Sequence, residues 1–444
     1  MVAVAEQLSN YLAGFEEAGK RREAEAAWLR QARQSGMRRF AESGFPTTRD
    51  EEYKYTSLAP LAKTAYQLAG DSGSQVARQQ LAPHVFDELA GNRLVFLNGR
   101  FRENLSRLAP RDGLEVGSLQ KAWAGSAAGL EGSLALYTSQ RNNVLAALNT
   151  AFFEDGALIR IADHAVLADP VHLIFLSTAE RPDTVSHPRV LILAGRDSQA
   201  SVIESYAGLG EHSYWTNAVT EIAAGANARL EHCRLQQETP RSFHTSFVEI
   251  HQSRDSNVTT HSLSLGGLLV RNDAEVVLND EGCESTLNGL YAVTDRQHVD
   301  NRTCIDHAKP HCMSHQLYKG VLDGHARGVF NGKIIVRPDA QKTDAIQSNK
   351  NLLLSENADI NTKPQLEIDA NDVKCTHGAT IGQIDEEAVF YLRSRGLGFA
   401  QARSLLTYAF AADILERVAI EPVRNRVEAT LMSWLTAGAE GGRP

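Results

Sequence analysis

The sequence predicts a mainly β protein, a parallel β-solenoid core flanked by α-helical N-terminal and C-terminal domains. Three observations carry this. From about Arg93 onward the chain is a succession of short apolar runs, each about four to six residues long and punctuated by Gly, Asn, Asp or Ser. These runs are too many and too short for one compact β-sandwich, the competing architecture. Helical patterns between them are missing, which argues against a doubly wound α/β sheet. Finally, Ile222, Ile250 and Val277 recur at about 27 or 28 residues, near the length of one solenoid coil that buries its neighbour's apolar face.

The first helical domain covers residues 1–92. Stretches 2–18 and 20–42 are proline-free and rich in Ala, Glu, Arg, Leu and Gln, all good helix formers. Leu8, Leu12 and Phe15 keep the spacing of one apolar helix face, as do Trp28, Leu29 and Ala32. Gly44-Phe45-Pro46 ends the second run, since proline removes a donor and restricts the residue before it. The polar segment 47–56, with Tyr53 and Tyr55, reads as a packing arm or a partner contact.

The solenoid is expected over residues 93–384, with a helical interlude near 117–154, chiefly 142–153. Residues 94–97 run into an Asn98-Gly99 turn, a pair that supplies positive φ. Strand-like runs follow at 158–161, 171–176, 189–193, 200–203, 219–222, 247–250, 276–278, 333–336 and 352–354. Helices are expected over 385–444. Asp385, Glu386 and Glu387 open the first, Arg393 and Arg395 suit the negative end of its dipole, and Gly396 caps it. In the second, 399–418, Leu406, Phe410 and Ile414 recur every four residues, and Pro422 marks the break before a third at 423–435. This apolar stripe packs on the solenoid or on another protein.

Composition narrows the function. A net charge of −9 over 444 residues argues against broad binding of nucleic acid or anionic membranes. Five cysteines are no disulfide framework and suit reduced thiols in a cytosol. Neither a secretory leader nor a membrane-spanning run stands out, so a soluble, cytoplasmic protein is expected. Gly328 to Lys333 is one residue short of a phosphate loop, and Ile334 stands where Ser or Thr is needed. Gly208 and Gly210 are followed by Ser213 where a dinucleotide fold has its third Gly. Any energy used is therefore expected to come from a partner.

Two polar constellations remain. Cys304, His307, His311, Cys312 and His315 lie within twelve residues, but their spacing matches no zinc knuckle, and a turn between stacked strands is the better reading. Cys375 and His377 lie two apart, and in a strand they face the same way. A thiol beside an imidazole can hold a soft metal, pass sulfur or act as a nucleophile.

The stretch from Asp372 to Gly382, with Phe390 to Gly396 and Tyr408 to Ala412, resembles the C-terminal signature of the SufB/SufD family of iron–sulfur cluster assembly scaffolds. The likeness extends through 331–336, 342–344, 351–354 and 363–368, back through 298–303 and more weakly to 52–56. Gly378 and Leu392 stand where SufB typically has Glu and Cys, so the likeness is to the SufD branch. The resemblance implies a right-handed parallel β-helix, a heterodimer with SufB and docking of the ATPase SufC through the C-terminal helices. It implies no permanently bound cofactor and no catalysis, only transient iron or an iron–sulfur cluster at the SufB–SufD interface, and support for iron acquisition. His377 matches the family histidine at that interface and is the expected metal ligand, and Cys375 matches a neighbouring thiol. For SufC docking it points to Phe390, Tyr391, Arg393, Arg395, Leu406, Phe410 and Ile414. In isolation a homodimer is possible. The alternatives are a SufB-like paralogue, a β-helix polysaccharide-active protein, or an adaptor with no ligand at Cys375 and His377.

Overall fold

The computed structural model describes residues 2–22, 25–70, 76, 78–125, 129–138 and 143–440. Two parallel sheets wind into a solenoid of about eight turns. The first sheet stacks Gly156–Ile161, Arg189–Ala194, Tyr214–Ala224, Phe243–Gln252, Leu269–Leu278, His298–His307, Arg327–Val336 and Asp359–Ile368. The second stacks Arg93–Leu97, Val171–Ser177, Gln199–Gly208, Arg229–Gln237, Asn257–Ser264, Glu284–Val293, Met313–Leu322, Asp344–Leu353 and Lys374–Gly382.

In-register stacking repeats one apolar column through the first sheet: Ile159, Ile192, Ile222, Ile250, Val276, Ile305, Ile334 and Leu366. Val276 rather than Val277 continues the column from Ile250, because Val277 stacks on His251. A one-residue slip of this kind moves a side chain to the other face. The expected runs are also only the apolar halves of strands. Run 333–336 is the end of the ten-residue strand Arg327–Val336, and run 247–250 lies within Phe243–Gln252. The polar halves were not read as strand because they look like turns, yet in a solenoid the rungs above and below satisfy their side chains. Asn272, for example, is buried and donates to Ser264 Oγ and Asn301 Oδ1, both at 3.0 Å.

Towards the C-terminal half, interior tyrosines sit where a glycine on the adjacent rung makes room. A Cβ on Gly289 would lie 2.2 Å from the Tyr318 ring, and one on Gly320 would lie 2.3 Å from the Tyr291 ring. The two pairs alternate on adjacent rungs, so neither ring is crowded by the strand beside it.

The N-terminal helices Val2–Arg21 and Ala27–Ser43 pack with Val144–Phe152, the helix expected at 142–153, over Trp215, Phe243 and Leu269 of the solenoid. Residues 126–128 and 139–142 of the expected interlude lie outside the described residues. The segment 47–56 is a packing arm. The Arg271 guanidinium lies 3.8 Å from the Tyr53 ring centroid and donates to the Glu52 carbonyl at 3.0 Å, while Thr56 Oγ1 donates to Asp300 at 2.5 Å. Arg302 and Lys363 hold Glu52 and Glu51.

At the other end Glu386–Ser394 is capped by Asp385, whose carboxylate accepts from the backbone of Glu387 and Ala388. Gly396, at φ 96°, closes the helix with the Gly396 and Leu397 amides bonded back to Arg393 and Leu392. Pro422 stands inside the first turn of Glu421–Glu440, where its missing N–H costs nothing, rather than before the helix. That helix and Phe399–Leu415 lie on the outer face of the second sheet, burying Ala411, Ile414, Val418, Val423 and Val427 against Cys233, Leu235, Leu263 and Leu290. No described helix is long and apolar enough to cross a membrane.

Candidate functional site

The Cys304–His315 cluster is a strand, a turn and the next strand, His298–His307 then Met313–Leu322. Its members are spent locally. His307 bonds Ser314 Oγ at 2.9 Å, and burial depresses its imidazole to about 4. Burial and the Glu275 carboxylate push the Cys304 thiol up to about 12. Among the described residues, no group of three or more His, Cys, Asp and Glu side chains stands in a metal-holding arrangement.

The C-terminal end of the solenoid is different. Lys374–Gly382 is the last rung of the second sheet and Asp359–Ile368 the last of the first. Among the described residues each has a strand neighbour on one side only. Pro364, which has no N–H to give a ladder, lies in the terminal strand of the first sheet, where an edge tolerates it. Register extends the interior columns to this end. Cys375 lies over Ala345, His377 over Gln347, Ala379 over Asn349 and Ile381 over Asn351. Cys375 and His377 therefore share the inward face, as their spacing predicts. With no rung beyond, His377 is exposed and Ile381 is 51% exposed. Cys375 is half-buried against the cluster of Ile334, Val336, Ala340, Ala345 and Ala370, and burial and the Asp344 carboxylate raise its thiol above the usual range.

Under His377 runs a buried amide chain that the sequence reading missed. Gln347 Nε2 donates to Gln316 Oε1 at 2.8 Å, and Gln316 Nε2 donates to Thr303 Oγ1 at 2.5 Å. These bonds fix the Gln347 amide, whose Oε1 is buried without a partner. Gly332 clears space for it, since a Cβ there would lie 2.2 Å from Gln347 Nε2. A buried acceptor with its other end committed can take the N–H of an imidazole in the next rung, leaving the second ring nitrogen for an electrophile. Two glutamines 31 residues apart stand in this column, and only strand register could have aligned them with His377.

The helix residues divide. Phe390 and Tyr391 are 73% and 57% exposed, and Arg393 and Arg395 are exposed beside them. Phe399 joins them at 53%, with Arg393 and Arg403 over its ring at 5.8 and 5.6 Å. Phe390, Arg393, Phe399 and Arg403 border a hollow of about 480 Å³ between the solenoid end and the helices. Leu406 is half-buried. Ile414 is fully buried and Phe410 partly so, both against the chain's own second sheet. The fully buried Ile414 offers a partner no surface in this chain, while Phe410 keeps part of its surface. The four-residue spacing marks the face turned to the solenoid, because apolar periodicity reports burial without saying against what.

Comparison with known proteins agrees with this architecture. Residues 175–410 match the family model described as SUF system FeS cluster assembly, SufBD core domain, and residues 5–173 match that of the SufBD protein N-terminal region. An iron–sulfur cluster assembly SufBD family protein of Synechocystis is 35% identical over 86% of this chain and 86% of its own. The iron–sulfur cluster assembly protein SufD of Escherichia coli is 33% identical over 96% of both chains. The chloroplastic protein ABCI7 of Arabidopsis thaliana is 28% identical over 90% of this chain and 84% of its own.

Proposed function

Because this chain belongs to the SufBD family of the SUF iron–sulfur cluster assembly system, we propose that it is a non-catalytic scaffold subunit whose open solenoid end pairs with a SufB-type relative. The observation that carries this reading is the last rung, Lys374–Gly382, an exposed edge strand with His377 on its inward face. A long bare edge is a template for another strand. A second solenoid ending in the same way would continue both sheets, cover Ile368 and Ile381, and enclose Cys375 and His377 at the seam.

Iron, or a nascent cluster, is the cargo at that seam. His377 offers one ring nitrogen, and the partnerless Gln347 Oε1 on the rung beneath is placed to take the other ring N–H once the seam closes. Cys375 is an auxiliary soft ligand, and the partner contributes further thiolates. ATP hydrolysis falls to a SufC-type subunit docked on Phe390, Tyr391, Arg393, Arg395 and Phe399. A cytoplasmic location goes with this role.

The test is native mass spectrometry of the chain co-expressed with SufB-type and SufC-type subunits from one host. A complex of one, one and two subunits is expected, and a chain that ignores both partners overturns the proposal. Within it, Phe390→Asp combined with Tyr391→Asp is expected to weaken capture of the ATPase subunit at least tenfold with the melting temperature unchanged, because both side chains are exposed. Unaltered capture by the double variant removes the docking assignment.

A further inference from the structure

One corner of the solenoid repeats a small residue just before each strand of the second sheet: Ser198, Ala228, Ser256, Cys283, Cys312 and Thr343. Each follows a residue of positive φ: Asp197, Asn227, Asp255, Gly282, His311 and Lys342. Each also accepts, at its carbonyl, the first amide of the next rung's strand, as Cys283 O does from Met313 at 2.8 Å and Cys312 O from Asp344 at 3.1 Å. The polar members tie their side chain to the carbonyl three residues back. Ser198 reaches Gly195, Ser256 reaches Ser253, and Thr343 reaches Ala340, at 2.7, 2.7 and 2.9 Å.

Of the two cysteines, Cys283 keeps this rule and Cys312 departs from it. Cys283 Sγ lies 3.2 Å from the Asp280 carbonyl, its own third-back oxygen. Cys312 Sγ passes over its own rung and lies 3.2 Å from that same Asp280 oxygen. The two sulfurs thus converge on one carbonyl oxygen. Backbones of adjacent rungs are about 4.8 Å apart, inside the Cα separation that a disulfide spans. Both thiols are buried, one residue beneath an exposed corner formed by His311 and Met313.

We propose that Cys283 and Cys312 form a dithiol site that closes reversibly to a disulfide linking two successive rungs, with a peroxide as the oxidant. The Cys283 and Cys312 S–H bonds break and one S–S bond forms. Two protons and two electrons pass to the peroxide, whose O–O bond breaks to give two waters when it is hydrogen peroxide. A small disulfide reductant reopens the pair by thiol exchange, and linkage across a rung spacing wider than the preferred Cβ separation makes that reopening easy. Cys233 stacks between Ile203 and His261, Cys304 between Glu275 and Lys333, and Cys375 has Ala345 beneath it, so none has a cysteine stacked on it from an adjacent rung.

The full chain, reduced and then exposed to hydrogen peroxide, is quenched in denaturant with an alkylating agent and weighed. Five alkylations are expected before oxidation and three after it, with the Cys283 peptide joined to the one carrying Cys312 and five alkylations restored by dithiothreitol. Because Cys304 shares a tryptic peptide with Cys312, Cys304→Ser provides the mapping background. Cys283→Ser, which copies the Ser256 corner of the rung before, is expected to fold as the parent does and to keep all four remaining thiols alkylatable. Five alkylations after oxidation, oxygen added to single sulfurs, or a link elsewhere overturns the proposal.

Discussion

Replacing Glu221 with alanine is expected to lower the free energy of unfolding by about 3–5 kcal/mol, read as a large fall in the urea midpoint at unchanged slope. The Arg189 and Glu221 side chains are both fully buried, with the guanidinium 2.5 Å from the carboxylate. Arg189 also donates to Asn149 Oδ1 at 3.0 Å and to the Thr150 and Thr138 hydroxyls at 3.1 Å. Glu221 in turn accepts from the Ala135 amide at 2.9 Å and the Thr138 amide at 3.3 Å, pinning the segment before helix Val144–Phe152 to the solenoid. Removing the carboxylate leaves a buried cation without a counter-charge and two buried amides without an acceptor, and each is costly alone. Glu221→Gln keeps the shape and one acceptor, so a smaller loss is expected. A Glu221→Ala midpoint equal to the parent's would show that water reaches Arg189.

The legible and illegible parts of the fold separate along a physical line. Apolar Ile222 and Ile250 announced the coil because burial in the interior demands aliphatic side chains at a fixed period. His232, Arg234 and Asn272 did not, because in isolation they are turn and surface residues. Their burial is possible only through partners on other rungs, such as Ser246 Oγ and Ser262 Oγ for Arg234 at 2.5 and 2.9 Å. Such partners lie 12 to 28 residues away, beyond any local pattern. The same holds at the site. Cys375 and His377 were visible because their relation is local, two residues along one strand. Gln316 and Gln347 were invisible because theirs is vertical. The helical period of Ile414 left solenoid or partner open and the resemblance pointed to a partner, and the structure buries it in the cluster of Leu263 and Leu290. Segment 47–56 read as a packing arm or a partner contact, but its use of Arg271 and Asp300 could not be read locally, since a hydrogen bond across 244 residues has no periodic signature.

Replacing His377 with alanine is expected to leave the chain folded and assembled with its partners while cluster loading falls at least tenfold. The strand that carries it is the last of its sheet, exposed, and supported from one side, so no packed neighbour loses contact. The loss is therefore chemical rather than structural. Two controls divide the contributions. Cys375→Ala removes a half-buried thiol that burial keeps protonated, and a loss smaller than that of His377→Ala is expected. Gln347→Leu keeps the volume but removes the acceptor under the imidazole. Nitrogen-15 spectra of the metal-free assembled complex should then show a mixture of His377 tautomers where the parent complex shows one, with loading reduced less than by His377→Ala. These readouts are separable. A His377 tautomer indifferent to Gln347 would break the link between them yet leave the histidine's role standing, whereas undiminished loading in His377→Ala would move cluster assembly away from this end of the solenoid.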